Sequence, residues 1–151
     1  MTVAPRTAMD HITAQLAIAS APEIRRQGPD ISIDHIVTVG YFDRLGYSRP
    51  EASDTGDRFV FPDGPSHPYE TFRAAALYVN DALEQGDSVV VHCQAGVSRS
   101  AGICGAVLAE REGVCWDTAI EMVAEARPRI NPQPSIVNSA QRYIQSDRHR
   151  A

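Results

Sequence analysis

Three consecutive valines, Val89 to Val91, form an all-apolar run that closes at His92, the pattern of a strand covered on both faces. Upstream, Phe72, Ala76, Val79 and Leu83 recur at helical spacing, which predicts an amphipathic helix over Pro68 to Gln85 closed by Gly86. Downstream the pattern predicts three more helices: Val97 to Glu112, Trp116 to Arg127 and Gln133 to Ser146. Trp116, Ile120 and Val123 share a face of the second, and Ile136, Ala140, Tyr143 and Ile144 share one of the third. His35 to Val39 reads as a compact β-branched strand, and Arg58 to Phe61 as another, ended by Pro62. His11 to Ile18 alternates loosely and reads as an edge or first strand. Pro22 to Gln27 reads as a short helix with proline in its first turn. Residues 41–57, YFDRLGYSRPEASDTGD, are polar and turn-rich, a loop long enough to expect a function for it or mobility in it.

Strands alternating with helices predict an α/β fold: three layers, with a central, mostly parallel sheet of about four to five strands flanked by helices. A chain of 151 residues is expected to form a single domain, 1–151, with one core. The hydrophobic share of 43% and charged share of 22% are ordinary for a soluble protein. The net charge of −5 offers no basic field for nucleic acid or anionic lipid, so neither is expected as a partner. All 14 cationic side chains are arginine, which removes lysine as a base or phosphate ligand. No apolar run is long enough to span a bilayer, and the first residues lack the apolar core of a signal peptide. Three cysteines without a CxxC pair fit neither a disulfide framework nor a zinc knuckle, and the reducing cytoplasm is the expected setting.

The chemistry concentrates where the valine strand ends. Cys93 is followed by Gln94, Ala95, Gly96, Val97 and Ser98, then by Arg99, Ser100 and a helix. In parallel sheets ligands bind off the carboxyl ends of strands. A strand-to-helix loop this short can curl so that its backbone N–H groups point inward over the helix N-terminus, making an anion cradle. Gly96 frees the turn. Arg99 offers paired hydrogen bonds to a tetrahedral oxyanion. The same positive surroundings favour the thiolate of Cys93, the nucleophilic form. A free cysteine is more often a buried structural thiol, but that reading leaves Arg99 and Gly96 unexplained.

His92-Cys93-Gln94-Ala95-Gly96-Val97-Ser98-Arg99-Ser100 resembles the signature loop of cysteine-dependent protein phosphatases, closest to the small atypical members of the dual-specificity branch. The resemblance runs from about Ile12 to Ile144 and includes Arg127-Pro128-Arg129-Ile130-Asn131-Pro132, a pattern that recurs after this family's penultimate helix. It implies a dual-specificity-phosphatase-like fold, no metal or cofactor, and a general acid on a loop roughly thirty residues ahead of the cysteine. Asp63 in Phe61-Pro62-Asp63-Gly64-Pro65 fits that position, and the stretch is similar to the aromatic-Pro-Asp loop of tyrosine phosphatases. Asp54 and Asp57 precede the strand and would emerge at its wrong end. The implied roles are Cys93 as nucleophile, Arg99 with the amides of residues 94–98 as phosphate ligands, and Asp63 as acid then base. Ser100 would donate a hydrogen bond to the departing thiolate, and His92 would orient Cys93 through the backbone.

The activity implied is hydrolysis of phosphomonoesters, on phosphotyrosine and also phosphoserine or phosphothreonine of proteins, through a phosphocysteine, by a monomer. An alternative is a non-protein phosphate: a nucleotide, an RNA 5′ end, an inositol phosphate or a sugar phosphate. Lipid-directed relatives usually carry lysines in the loop, and RNA-directed relatives a more basic surface; this chain has neither. A further alternative is a phosphopeptide-binding module without turnover, which typically loses the cysteine, the arginine or the acid. Around this centre, Ser98 reads as a structural member of the loop, and Cys104 and Cys115 as core or helix-end residues. A redox role for Cys104 is disfavoured by its place along the helix. His67 lines the pocket mouth or is an exposed loop residue, and Tyr41, Phe42 and Tyr47 pack together or wall the substrate cleft.

Overall fold

In the computed structural model, residues 9–27, 33–40, 57–59, 61 and 63–147 are described. Tyr41, Phe42 and Tyr47, read as packing together or walling the cleft, and Asp54, the disfavoured rival of Asp63, lie outside them.

Five strands form one sheet in the order β1-β2-β5-β3-β4. β1 is Asp10–His11, β2 Leu16–Ser20, β3 His35–Val39, β4 Asp57–Phe59 and β5 Val89–Cys93. β2, β5, β3 and β4 run parallel, and β1 is the antiparallel edge. The expected strand over His11 to Ile18 is instead a hairpin. Thr13 Oγ1 accepts the amides of Gln15 and Leu16, and Ile12 N–H donates to Leu16 O, so the chain turns back before β2 begins. β4 stops at Phe59, short of the expected Phe61.

The helices are α1 Ala21–Gln27, α2 Tyr69–Glu84, α3 Arg99–Glu112, α4 Trp116–Ala126 and α5 Pro134–Asp147. α1 begins in a reciprocal cap: Glu23 N–H donates to Ser20 Oγ at 3.2 Å, and Ser20 N–H to Glu23 Oε1 at 2.8 Å. α3 starts at Arg99 rather than Val97, because residues 94–98 are held in a different conformation by the contacts described below.

Alternation along the strands sorts the core. Leu16, Ile18, Val37, Val39, Val89 and Val91 face the side on which α2 and α3 lie, with α4 and α5 packed on α3. Ala17, Ala19, Ile36 and Val90 face the other side, where Met9 and Ile24 cover them. The apolar faces expected of α2 and α5 are buried, as are Trp116 and Val123 of α4. Among the described residues no helix is long and apolar enough to cross a membrane. The centre of this packing is β5, and its last residue is Cys93.

Candidate active site

Cys93 follows from the strand pattern: it is the last alternating position of β5 and is 2% exposed. From there the chain must leave the sheet and enter α3, and the fate of each carbonyl shows how. Gln94 O accepts from Ala21 N at 3.0 Å, and Val97 O from Asn131 N at 2.8 Å. Ala95 O accepts from Arg127 Nη2 at 3.2 Å, and Gly96 O from Arg127 Nε at 2.9 Å. Four successive carbonyls therefore face outward into protein partners. In a trans peptide the following N–H points opposite to the carbonyl, so the amides of residues 95–98 face the inside of the curl. Gly96 N–H does so at 3.3 Å from Cys93 Sγ. Gly96 takes a φ of 70°, and a Cβ there would stand 2.7 Å from Ala19 O and 2.8 Å from Arg127 Nη2, so the position excludes side chains twice over.

Ser100 Oγ lies 3.2 Å from Cys93 Sγ in the first turn of α3. Its hydroxyl can donate to sulfur, as the Gly96 amide does. Arg99 Nη1 donates to Phe61 O at 3.1 Å, and the guanidinium lies against Gly40 at the end of β3, where a Cβ would come within 2.6 Å of Nη1. Its Nε is buried without a partner among the described residues. A guanidinium has five donors, so one bond to Phe61 O leaves a fork for an oxyanion.

Asp63 comes to the same loop from the far side. Its Oδ1 accepts the Ser98 hydroxyl at 2.7 Å, and Ser98 Oγ accepts the Gln133 amide at 2.9 Å. Cys93, residues 94–98, Arg99, Ser100 and Asp63 thus belong to one constellation. His92 faces the opposite side of the sheet, with Nε2 2.8 Å from Thr38 Oγ1. Burial lowers its imidazole to about 4; a hydrogen bond to the Cys93 backbone opposes the shift and the Arg58 charge adds to it.

Other residues sort more sharply than their sequence positions suggest. Cys104 is wholly buried in α3, and burial, reinforced by the neighbouring Cys93, pushes its thiol far above the ordinary range. Cys115 caps α4 in the open, with its thiol lowered by hydrogen bonds to Thr118. His67 is not the exposed loop residue that its sequence position suggests. It is half-buried between Phe61 and Phe72 and bonded to Ser139.

Reading the sequence missed the loop's anchor. Arg127 is 1% exposed, and its Nη1 donates to Asp10 Oδ2 at 2.9 Å and to Glu23 Oε1 at 3.0 Å. These carboxylates balance a buried cation whose other donors hold the loop carbonyls. The available signals were the Arg-Pro-Arg-Ile-Asn-Pro stretch and the Ser20-Ala-Pro-Glu23 capping pattern.

Residues 57–145 match the family model for the dual specificity phosphatase catalytic domain. MAP kinase phosphatase with leucine-rich repeats protein 2 of Dictyostelium discoideum is 26% identical over 119 residues, 76% of this chain and 16% of that protein. Dual specificity protein phosphatase 2 of Mus musculus is 39% identical over 66 residues, 44% of this chain and 21% of that protein. The chain therefore spans well under two thirds of these curated relatives. A crystal structure of a mouse dual specificity phosphatase complexed with zinc tungstate superposes with a TM-score of 0.80 at 25% identity, covering 99% of this chain and 94% of that one.

Proposed function

Because this chain belongs to the dual specificity phosphatase catalytic-domain family, we propose that it hydrolyses phosphomonoesters of proteins through a phosphocysteine. The observation that carries the reading is the loop of residues 94–98, its carbonyls tied outward and its amides turned in around Cys93 Sγ, with Asp63 one hydrogen bond away on Ser98.

In this reading the phosphoryl oxygens enter the curl and meet the loop amides and the Arg99 fork. The charge that spreads over those oxygens in the transition state is met by donors already in place, with no reorganisation at the moment of reaction. Cys93 Sγ forms a bond to phosphorus in line as the ester oxygen departs, and Asp63 gives that oxygen its proton. Water then attacks the phosphocysteine, Asp63 takes its proton, and the sulfur leaves as a thiolate stabilised by Ser100 and the Gly96 amide. Inorganic phosphate is released.

The substrate in this proposal is a phosphorylated protein, on phosphotyrosine and also on phosphoserine or phosphothreonine. The loop has no lysine to favour a polyanionic lipid headgroup, and the net charge of −5 disfavours RNA. The protein would act as a monomer in the reducing cytoplasm, where a nucleophilic thiol persists.

Hydrolysis of phenyl phosphate and of a phosphotyrosine peptide, in reductant with chelator, tests this. Cys93→Ser should abolish turnover, and acid quenching of the wild type should trap a covalent phosphoprotein that Cys93→Ser lacks. Asp63→Asn should lower kcat about a hundredfold on phenyl phosphate and flatten the basic limb of the pH profile. Binding of the phosphopeptide by reduced wild type without turnover would replace the enzyme with a recognition module. Turnover of small phosphates with none of phosphoproteins would move the substrate to the non-protein class.

A further inference from the structure

We infer that His67 and Ser139 form a tie that positions the acid loop for catalysis, an inference resting on the reading of Asp63 as general acid. Both His67 N, at 3.2 Å, and His67 Nδ1, at 2.8 Å, face the carbonyl of Gly64, the residue after Asp63. A carbonyl can only accept, so the ring proton is on Nδ1. That leaves Nε2 toward Ser139 Oγ, 2.6 Å away on α5 and 72 positions along the chain. In the neutral ring the serine hydroxyl donates to Nε2; in the imidazolium Nε2–H donates to the serine. The hydroxyl rotates to suit, so the tie holds in either state.

The ring is seated as well as bonded, with its centroid 5.6 Å from that of Phe61 and 6.2 Å from that of Phe72. Phe61 O is in turn the acceptor for Arg99. The Asp63 turn is thus held from two directions that meet on one segment. Asp63 reaches Gln133 through Ser98, and Gly64 reaches Ser139 through His67. Asp63 itself is exposed, and its turn contains Gly64 and Pro65 but no residue of the apolar core. A fixed carboxyl needs such external ties, because misplacement of about an ångström can cost a large factor in proton transfer. His67 and Ser139 touch no reacting atom; they act through the loop.

A residue that positions the acid matters most when the leaving group needs the proton. The test compares phenyl phosphate, whose phenolate leaves poorly, with para-nitrophenyl phosphate, whose phenolate leaves readily. His67→Ala and Ser139→Ala should each lower kcat on phenyl phosphate about tenfold and on para-nitrophenyl phosphate about twofold. Ser139→Thr, which keeps the hydroxyl, should restore the wild-type ratio. In an Asp63→Asn background neither substitution should lower kcat on phenyl phosphate further, since the acid they position is gone. Ser139→Ala removes one oxygen from a buried helix face and keeps the test open should His67→Ala fail to fold. Equal losses on both substrates, or additive losses on Asp63→Asn, overturn the inference. If Asp63→Asn shows leaving-group dependence while both tie variants behave as wild type, the tie alone is wrong. If Asp63→Asn is indifferent to the leaving group, the acid assignment has failed and the tie goes with it.

Discussion

His92 sits beside the cysteine in sequence and on the other side of the sheet in space, and its burial has a measurable consequence. The folded imidazole, lowered to about 4 chiefly by loss of water, is neutral at neutral pH, whereas in the unfolded chain the ring regains its ordinary 6.5. Between those values the unfolded state binds a proton that the folded state refuses, so stability falls as pH drops through that window. The whole loss amounts to about 3 kcal/mol and is complete below the folded value. Urea midpoints of wild type and His92→Asn, followed from neutral pH down to about pH 4, should show the variant less stable at neutral pH but with a shallower fall. Identical slopes would mean that His92 does not carry the effect. At this scale the sequence was most legible where the chemistry is local. Cys93, Gly96, Arg99 and Ser100 sit within eight consecutive residues and meet through one strand end and one helix start. Asp63 was approachable because a strand-end loop in a parallel sheet opens toward the same side. The burial of His67 was not legible, since nothing in Pro-Ser-His-Pro says which aromatic rings or which serine will surround it.

Element boundaries show why periodicity is trustworthy for helix faces and less so for ends. The buried positions of α2 and α5 agree with their apolar spacing, because a helix against a core has only one way to hide that stripe. α3 is different: from Ala101 to Ala109 every residue is buried, so it carries little face pattern, and its start moved from the expected Val97 to Arg99. What makes so apolar a helix fit is close approach. A Cβ on Gly105 would stand 2.6 Å from the Trp116 ring and 3.2 Å from Ile120 Cδ1, so Gly105 lets α4 lie tightly on α3. Gly105→Ala should therefore destabilise the protein by about 1 to 3 kcal/mol despite the higher helix propensity of alanine. Thermal unfolding reads this directly, and a variant as stable as wild type would show that the α3–α4 contact relaxes freely. The His11 to Ile18 stretch failed as a single strand for a local reason: the Thr13 hydroxyl offered the backbone a turn, which loose alternation did not reveal.

Across the whole molecule the feature that unites the parts is Arg127. One guanidinium bonds the carbonyls of Ala95 and Gly96 after β5, Asp10 in β1 and Glu23 in α1, drawing three distant segments behind the cradle. Lysine keeps the charge but cannot present several donors in a rigid plane to all of these acceptors. Bound oxyanion should stabilise the folded state by mass action, so orthovanadate should raise the melting temperature of the wild type. In Arg127→Lys that rise should shrink, because the loop amides are no longer held inward. A full vanadate shift in Arg127→Lys would show that the remaining bonds, Ala21 to Gln94 and Asn131 to Val97, hold the curl unaided. The α/β class, the valine strand at its centre, the apolar faces of the helices and the cysteine–arginine loop were all legible in the order of residues. Each of these depends on neighbours within a turn or a strand, where covalent spacing dictates geometry. It took the packing of distant elements for Arg127 to turn the loop amides inward, for Ser98 and Gln133 to hold Asp63, and for His67 to reach Ser139. Those contacts join residues up to 117 positions apart, and only packing of the elements brings a buried donor to the acceptor that satisfies it.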